Sequence, residues 1–165
     1  MGRRALRKID PTLDLSFHLR ESDDLPDPWD AEALFGRQAP LEVEVGSGKG
    51  LFLQRAAEAF PDHNFLGIGV ARKYARFSAA RLARRKIPNA VMVHGDGLRL
   101  FRELLPDAAL AAVHVYFPDP WWKARHKKRR VLNEPFLRDV VRTLVSGGRL
   151  HFWTAVEQYF ATTFA

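Results

Sequence analysis

The sequence predicts an α/β fold in which a parallel sheet carries helices on both faces. From Leu41 onward, short apolar runs alternate with amphipathic stretches, the pattern of repeated βα units. Three alternating glycines follow the first run and lead into a helical stretch, the place where such sheets hold a ligand. With 47% hydrophobic residues in a chain of 165, there is material for one sizeable core.

Residues 1–40 are polar, acidic at Glu21, Asp23, Asp24, Asp27 and Asp30, and punctuated by proline. They read as an arm or lid rather than core, which leaves residues 41–165 as the ligand-binding domain. Strands are expected at 41–45 (LEVEV), 64–70 (NFLGIGV), 90–94 (AVMVH), 110–117 (LAAVHVYF) and 148–154 (GRLHFWT). Each is rich in β-branched or aromatic residues and bounded by Gly, Pro or Asp. Helices are expected near 50–60, 71–86, 97–105 and 134–145. The last is opened by Asn133, carries Pro135 in its first turn, and is closed by Gly147 and Gly148. The triplet Asp-Pro-Trp occurs at Asp27 and again at Asp119. The first copy has no strand before it and reads as coincidence.

Lys and Arg number 26 against 19 Asp and Glu, and the net charge of +7 points to a polyanion, either nucleic acid or an anionic membrane. The absence of cysteine rules out disulfides and thiolate zinc sites and suits a reducing cytoplasm. No apolar stretch follows the basic N-terminus, Leu6 stands where a myristoylation signal needs Ser or Thr, and no run approaches the roughly 18 apolar residues of a membrane span. A soluble cytoplasmic protein is expected.

The segment Val43 to Gly50 (VEVGSGKG) admits several ligands. A phosphate-binding P-loop fails because Val43 replaces its first glycine and Gly50 its magnesium-binding hydroxyl. A dinucleotide fingerprint is disfavoured because the third glycine comes one residue early. Glu44, two residues before the first glycine, resembles motif I of the S-adenosylmethionine-dependent methyltransferases, which implies a ligand bearing a sulfonium cation, for which a nearby carboxylate is attractive. Asp96, just past the third run, reads either as a ligand contact or as a helix N-cap.

The stretch after the fourth run, Phe117 to Arg130 (FPDPWWKARHKKRR), carries the most information. Two prolines bracket Asp119 and restrict the backbone on either side. Six cations follow: Lys123, Arg125, Lys127, Lys128, Arg129 and Arg130. Such a density suits backbone phosphates, and Trp121 or Trp122 offers a surface on which a base can stack. His126 reads as a polar or phosphate contact, because no second ligand stands at metal spacing. His114 and His151 read as strand residues without a special role. The helix from Ala71 to Lys86 adds Arg72, Lys73, Arg76, Arg81, Arg84, Arg85 and Lys86 with no acid.

FPDPW followed by KARHKKRR resembles the bacterial tRNA (guanine-N7-)-methyltransferases. The resemblance takes in the N-terminal IDP, the glycine loop, GIGV, HGD and the final Thr-x-x-Glu-x-Tyr of residues 154–159. It implies a Rossmann-like methyltransferase sheet, S-adenosylmethionine (SAM) as methyl donor, no metal, and the variable-loop guanine of tRNA as acceptor, giving 7-methylguanosine. By this resemblance Glu44, Gly46, Ser47, Gly48, Gly69, Asp96, Gly97 and Asp119 line the cofactor. Asp119 is also the catalytic-site carboxylate, and Lys123, Arg125, His126, Arg129 and Ala155 meet the tRNA. No protein partner or membrane is implied, and monomer or homodimer both remain open.

Guanine N7 has a free in-plane lone pair, so no general base is required. The carboxylate is expected to stabilise the cationic purine as the methyl transfers. Three departures stand out. Gly69 replaces the family's ribose-binding acid, Ala155 replaces an aspartate after the fifth strand, and the chain ends at Ala165 where the family continues into further strands. They support an alternative reading as a catalytically weak or inactive tRNA-binding relative. A further alternative keeps the fold and changes the acceptor RNA.

Overall fold

The computed structural model describes residues 5–121 and 123–163. In chain order the elements are β1 (Leu19–Glu21), α1 (Ala31–Phe35), β2 (Leu41–Val45), α2 (Leu51–Ala59), β3 (Asn64–Gly69), α3 (Arg72–Arg84), β4 (Ala90–His94), α4 (Gly97–Arg99, continued by a π-helical turn over Leu100–Leu104), β5 (Leu110–Tyr116), α5 (Glu134–Thr143), β6 (Leu144–Trp153) and α6 (Glu157–Thr163). The expected strands and helices are all present, most with boundaries shifted by one or two residues.

The six strands form one sheet in the order β1-β4-β3-β2-β5-β6, and every pairing is parallel. The chain builds outward from β2 through β3 to β4, then returns to the other side of β2 with β5. This reversal opens a crevice at the strand C-termini, where open α/β sheets bind ligands. Because all strands run the same way, the segments after β2, β3, β4, β5 and β6 share one edge of the sheet.

Two cores flank the sheet, and alternate residues of β3 and β4 supply both. Val43, Leu66, Ile68, Val91 and Val113 face α5, α6 and the turn after α4. Phe65 and Met92 face α2 and α3, whose buried side chains there are Leu53, Ala56, Ala57, Ala75, Ala79 and Leu82. The small residues of α3 let its backbone lie close to the sheet and to the glycine loop. A Cβ on Gly50 would meet Ser78 Cβ at 2.7 Å, and Ser78 Oγ donates to the Gly48 carbonyl at 2.9 Å. Gly50 also sits at φ +76°, so two constraints require glycine there.

Two expectations are corrected. The segment expected to form an arm rather than core supplies β1, which extends the sheet beside β4, and buries Leu25, Leu34 and Phe35 in the main core. Asp30 caps α1 by accepting from Ala33 N at 3.0 Å, so the first Asp-Pro-Trp leads into a helix, with Trp29 packed against the core. The second correction concerns Gly147 and Gly148, which do not close α5. That helix ends at Thr143, and the glycines lie in a bulge where the register passes from Leu110 opposite Leu144 to Ala112 opposite Arg149. Gly147 adopts φ +79°, which glycine tolerates without strain. Among the described residues no helix is long and apolar enough to cross a membrane.

Candidate functional site

A cleft of about 360 Å³ opens at the C-terminal edge of β2, β3, β4 and β5. It falls within the range usual for small-molecule sites. Gly46, Gly69, Asp96, Gly97 and Asp119 all line it, so five of the eight expected cofactor residues come together from four strand ends. Val45, Ile68, Leu98 and Val131 make its floor and wall apolar.

The glycine loop frames one end. Gly46, Gly48 and Gly50 have φ of +80°, +54° and +76°, and no protein atom lies within 4 Å of where a Cβ on Gly46 or Gly48 would stand. That open space lets a ligand approach bare backbone. Gly97 has the opposite role: a Cβ there would meet Val45 Cγ1 at 2.9 Å, so the start of α4 is drawn against β2. Asp96 caps this helix, its Oδ1 accepting from Leu98 N at 2.9 Å, and it also faces the cleft, so both readings of the residue hold.

Glu44, Ser47 and Gly48 do not line the cleft. Glu44 shares a face of β2 with Glu42, opposite Val43 and Val45, and lies beneath the loop at 5% exposure. Its Oε2 is buried with no hydrogen-bond partner among the described residues. Ser47 Oγ donates to the Glu44 carbonyl at 3.2 Å. Burial pushes the Glu44 carboxyl up to about 7, with Ser47 acting in the opposite direction. A carboxyl raised above its unfolded value binds its proton more tightly in the native state. Its contribution is therefore fully present below the unfolded pKa near 4.5 and is lost as pH rises through about 7, by about 3 kcal/mol. Glu44→Gln removes that loss. Urea unfolding at about pH 5 and about pH 8 is expected to show the variant gaining stability relative to the parent at the higher pH; equal differences at both would place the titration elsewhere.

The Asp119 turn follows β5. Phe117 and Trp121 have φ of +48° and +47°, a region that disfavours side chains by roughly 1–2 kcal/mol each. This strain brackets Pro118, Asp119 and Pro120, and Phe117 N donates to the Trp153 carbonyl at 2.7 Å. Asp119 is exposed and lines two spaces at once: the cleft, and an adjoining hollow of about 440 Å³ bounded by Pro120, Trp121, Lys123 and His126. Arg129 lies over the Trp121 ring at 5.2 Å, and the His126 ring meets the same indole edge-on at 5.7 Å. Arg125 is exposed on the same 3₁₀ turn, Ala124–Arg129, and Ala155 is exposed just after β6; neither lines the cleft or the hollow. Trp122, the alternative stacking residue, lies outside the described residues. No group of three or more His, Cys, Asp or Glu among the described residues is arranged to hold a metal ion.

Arg130 changes role. Counted in the sequence among six phosphate-facing cations, it is 6% exposed. Its Nε donates to the Pro120 carbonyl at 2.7 Å, and its guanidinium lies over the Tyr159 ring at 4.5 Å. Tyr159, 1% exposed, accepts from Leu132 N at 3.1 Å. Arg130 thus fastens the Asp119 turn to α6. Nothing in the basic run distinguishes it from its neighbours; the sequence signal lies in Tyr159, the large aromatic that ends the Thr-x-x-Glu-x-Tyr of residues 154–159. Arg130→Ala is expected to remove about 2 kcal/mol through the lost charged hydrogen bond and ring contact. That corresponds to a fall in melting temperature of about 4–8 °C, and an unchanged melting curve would show that the brace carries no stability. His114, expected to be unremarkable, is buried and bonded to Glu42 at 2.9 Å and to the Tyr116 hydroxyl at 2.7 Å, with His151 stacked on it at 4.8 Å.

The family described as "Putative methyltransferase" matches residues 38–165. A tRNA (guanine-N(7)-)-methyltransferase of Rhodopirellula baltica is 52% identical across 99% of this chain and 62% of its own length. One from Bordetella pertussis is 42% identical across 81% of this chain and 53% of its own. The chain therefore spans between 53% and 62% of the length of these curated relatives. Among solved structures, the antibiotic-resistance methyltransferase Kmr superposes with a TM-score of 0.58 at 28% identity, covering 77% of this chain and 66% of that one.

Proposed function

We propose, from the premise that this chain belongs to the bacterial tRNA (guanine-N7-)-methyltransferase family, that it transfers a methyl group from SAM to N7 of the variable-loop guanine in tRNA. The observation that carries the reading is Asp119, whose carboxylate stands on the wall shared by the cleft and the basic, tryptophan-lined hollow. A donor on one side and a base on the other would both reach it.

The residues present suit SAM. Gly46 and Gly48 leave open backbone at the loop, Asp96 and the apolar Ile68, Leu98 and Val131 border the cleft, and Glu44 holds a buried, unpartnered carboxylate oxygen beneath. When bound, the cofactor supplies an electrophilic methyl group on a sulfonium centre. The loop and the start of α4 fix the donor side of the cleft, while Trp121, Lys123 and His126 orient the base and its phosphates on the other. N7 gives up no proton, so Asp119 is not needed as a base. It faces the purine as positive charge grows on it, and stabilises that charge more in the transition state than before it.

The test is transfer of labelled methyl from SAM to unmodified tRNA, with mapping of the product. Label confined to one variable-loop guanine is expected. Undiminished labelling of tRNA that lacks this guanine would overturn the acceptor, and tight SAM binding without any transfer would favour an inactive RNA-binding relative.

A further inference from the structure

A second basic surface lies on the other side of the cleft from the Asp119 turn. Helix α3 begins just past Val70, which lines the cleft, and its 13 residues carry it roughly 20 Å away. Lys73, Arg76 and Arg84 are exposed on it and form no ion pair among the described residues; Arg72 and Arg85 pair with Glu21 and Glu58 at the margins. Arg84, Arg85 and Arg55 of α2 stand near Arg81, and burial together with these neighbouring cations presses the Arg81 guanidinium below its ordinary value. Like charges held this close destabilise the free protein and are relieved by a polyanion.

Against this helix, residues 5–9 form the far wall of a groove of about 400 Å³. Leu6, Ile9 and Phe77 supply apolar surface, and Arg7, Lys73 and Arg76 the charge. Cations interleaved with an aromatic ring and aliphatic surface suit a nucleic-acid strand, whose phosphates meet the cations while a base or ribose lies on the ring. Two strands of the sheet, β3 and β2, separate this side from the Asp119 turn after β5, so the methyl cleft lies between two basic surfaces.

We propose that the groove between residues 5–9 and α3 is a second RNA-binding surface, which grips the phosphate backbone of the same tRNA away from the base being methylated. The proposal rests on tRNA being the substrate and deepens that reading. It gives the RNA two anchorages, one on each side of the cleft.

The experiment is the salt dependence of tRNA binding by the full chain, followed by fluorescence polarisation. Joint replacement of Arg7, Lys73 and Arg76 by Ala is expected to weaken tRNA binding about tenfold to hundredfold and to reduce the log–log salt slope by about two to three. SAM affinity, read by calorimetry, is expected to hold within about twofold. Exchanging charge for charge, Arg7→Lys, Lys73→Arg and Arg76→Lys, is expected to restore the slope, which a merely structural role of these exposed residues would not require. An unchanged slope in the Ala variant overturns the proposal while leaving tRNA as substrate. So does binding to vesicles of anionic lipid that depends on these residues while the tRNA slope does not. Absence of any tRNA binding by the parent chain would instead overturn the functional reading, and the groove's role with it.

Discussion

Asp119→Asn is expected to slow methyl transfer to tRNA by about 100- to 1000-fold, the usual effect of losing one preorganised electrostatic group aimed at developing charge. The substitution keeps the shape of the side chain between Pro118 and Pro120, so the strained backbone at Phe117 and Trp121 has no cause to change. SAM and tRNA affinities are therefore expected to stay within about threefold, with kcat and kcat/KM falling together, as for an interaction made only in the transition state. Single-turnover kinetics alongside equilibrium titrations separate the two. A rise in KM at unchanged kcat would mean that Asp119 binds substrate and does not act on the reacting charge.

The second large effect is expected from Gly69→Glu. Gly69 lines the cleft at the end of β3, and the nearest atom to a Cβ built there is Met92 Cε at 3.5 Å, an ordinary contact distance. Its backbone lies outside the left-handed region, so a side chain enters without strain. If this strand end faces the ribose, as the resemblance implies, a carboxylate there would accept hydrogen bonds from its hydroxyls, and a charged hydrogen bond contributes about 1.5–3 kcal/mol. SAM affinity is thus expected to rise by about tenfold to a hundredfold, measurable by calorimetry. An unchanged affinity would show that Gly69 does not occupy the position of the family's ribose-binding acid.

The sheet from β2 to β5 was legible because each strand is a short run rich in β-branched or aromatic residues that leads into glycine or proline, whereas β6 starts four residues before the expected Gly148 because its bulge carries the strand through both glycines. The cleft followed from the glycines after Val45 and from parallel strands that end on one edge. The alternation in LEVEV already placed Glu44 with Glu42, away from Val43 and Val45, so the face it takes on β2 was readable from parity. Strand β1 was not legible, since three residues carry no period, and it forms only because β4 offers an open edge. The left-handed backbone at Phe117 and Trp121 was equally hidden, because neither residue type favours it and the Arg130 bond to the Pro120 carbonyl that spans the turn comes from ten residues further along. Burial of a guanidinium within a run of exposed cations depends on a ring 29 positions away, which no local pattern reports.

That bond from Arg130 also bears on the order in which the molecule is made. Chains emerge from the ribosome N-terminus first, and the cleft's four strand ends all precede Pro118. The acid-bearing turn, by contrast, is held through Arg130 by Tyr159 and Thr162, the latter 32 residues further along. A nascent chain that has released β5 has the strand ends carrying Gly46, Gly69 and Asp96, yet its Asp119 turn lacks the Arg130 brace until α6 has been synthesised and docked. The brace on the acid-bearing turn is in this way among the last contacts to form during synthesis.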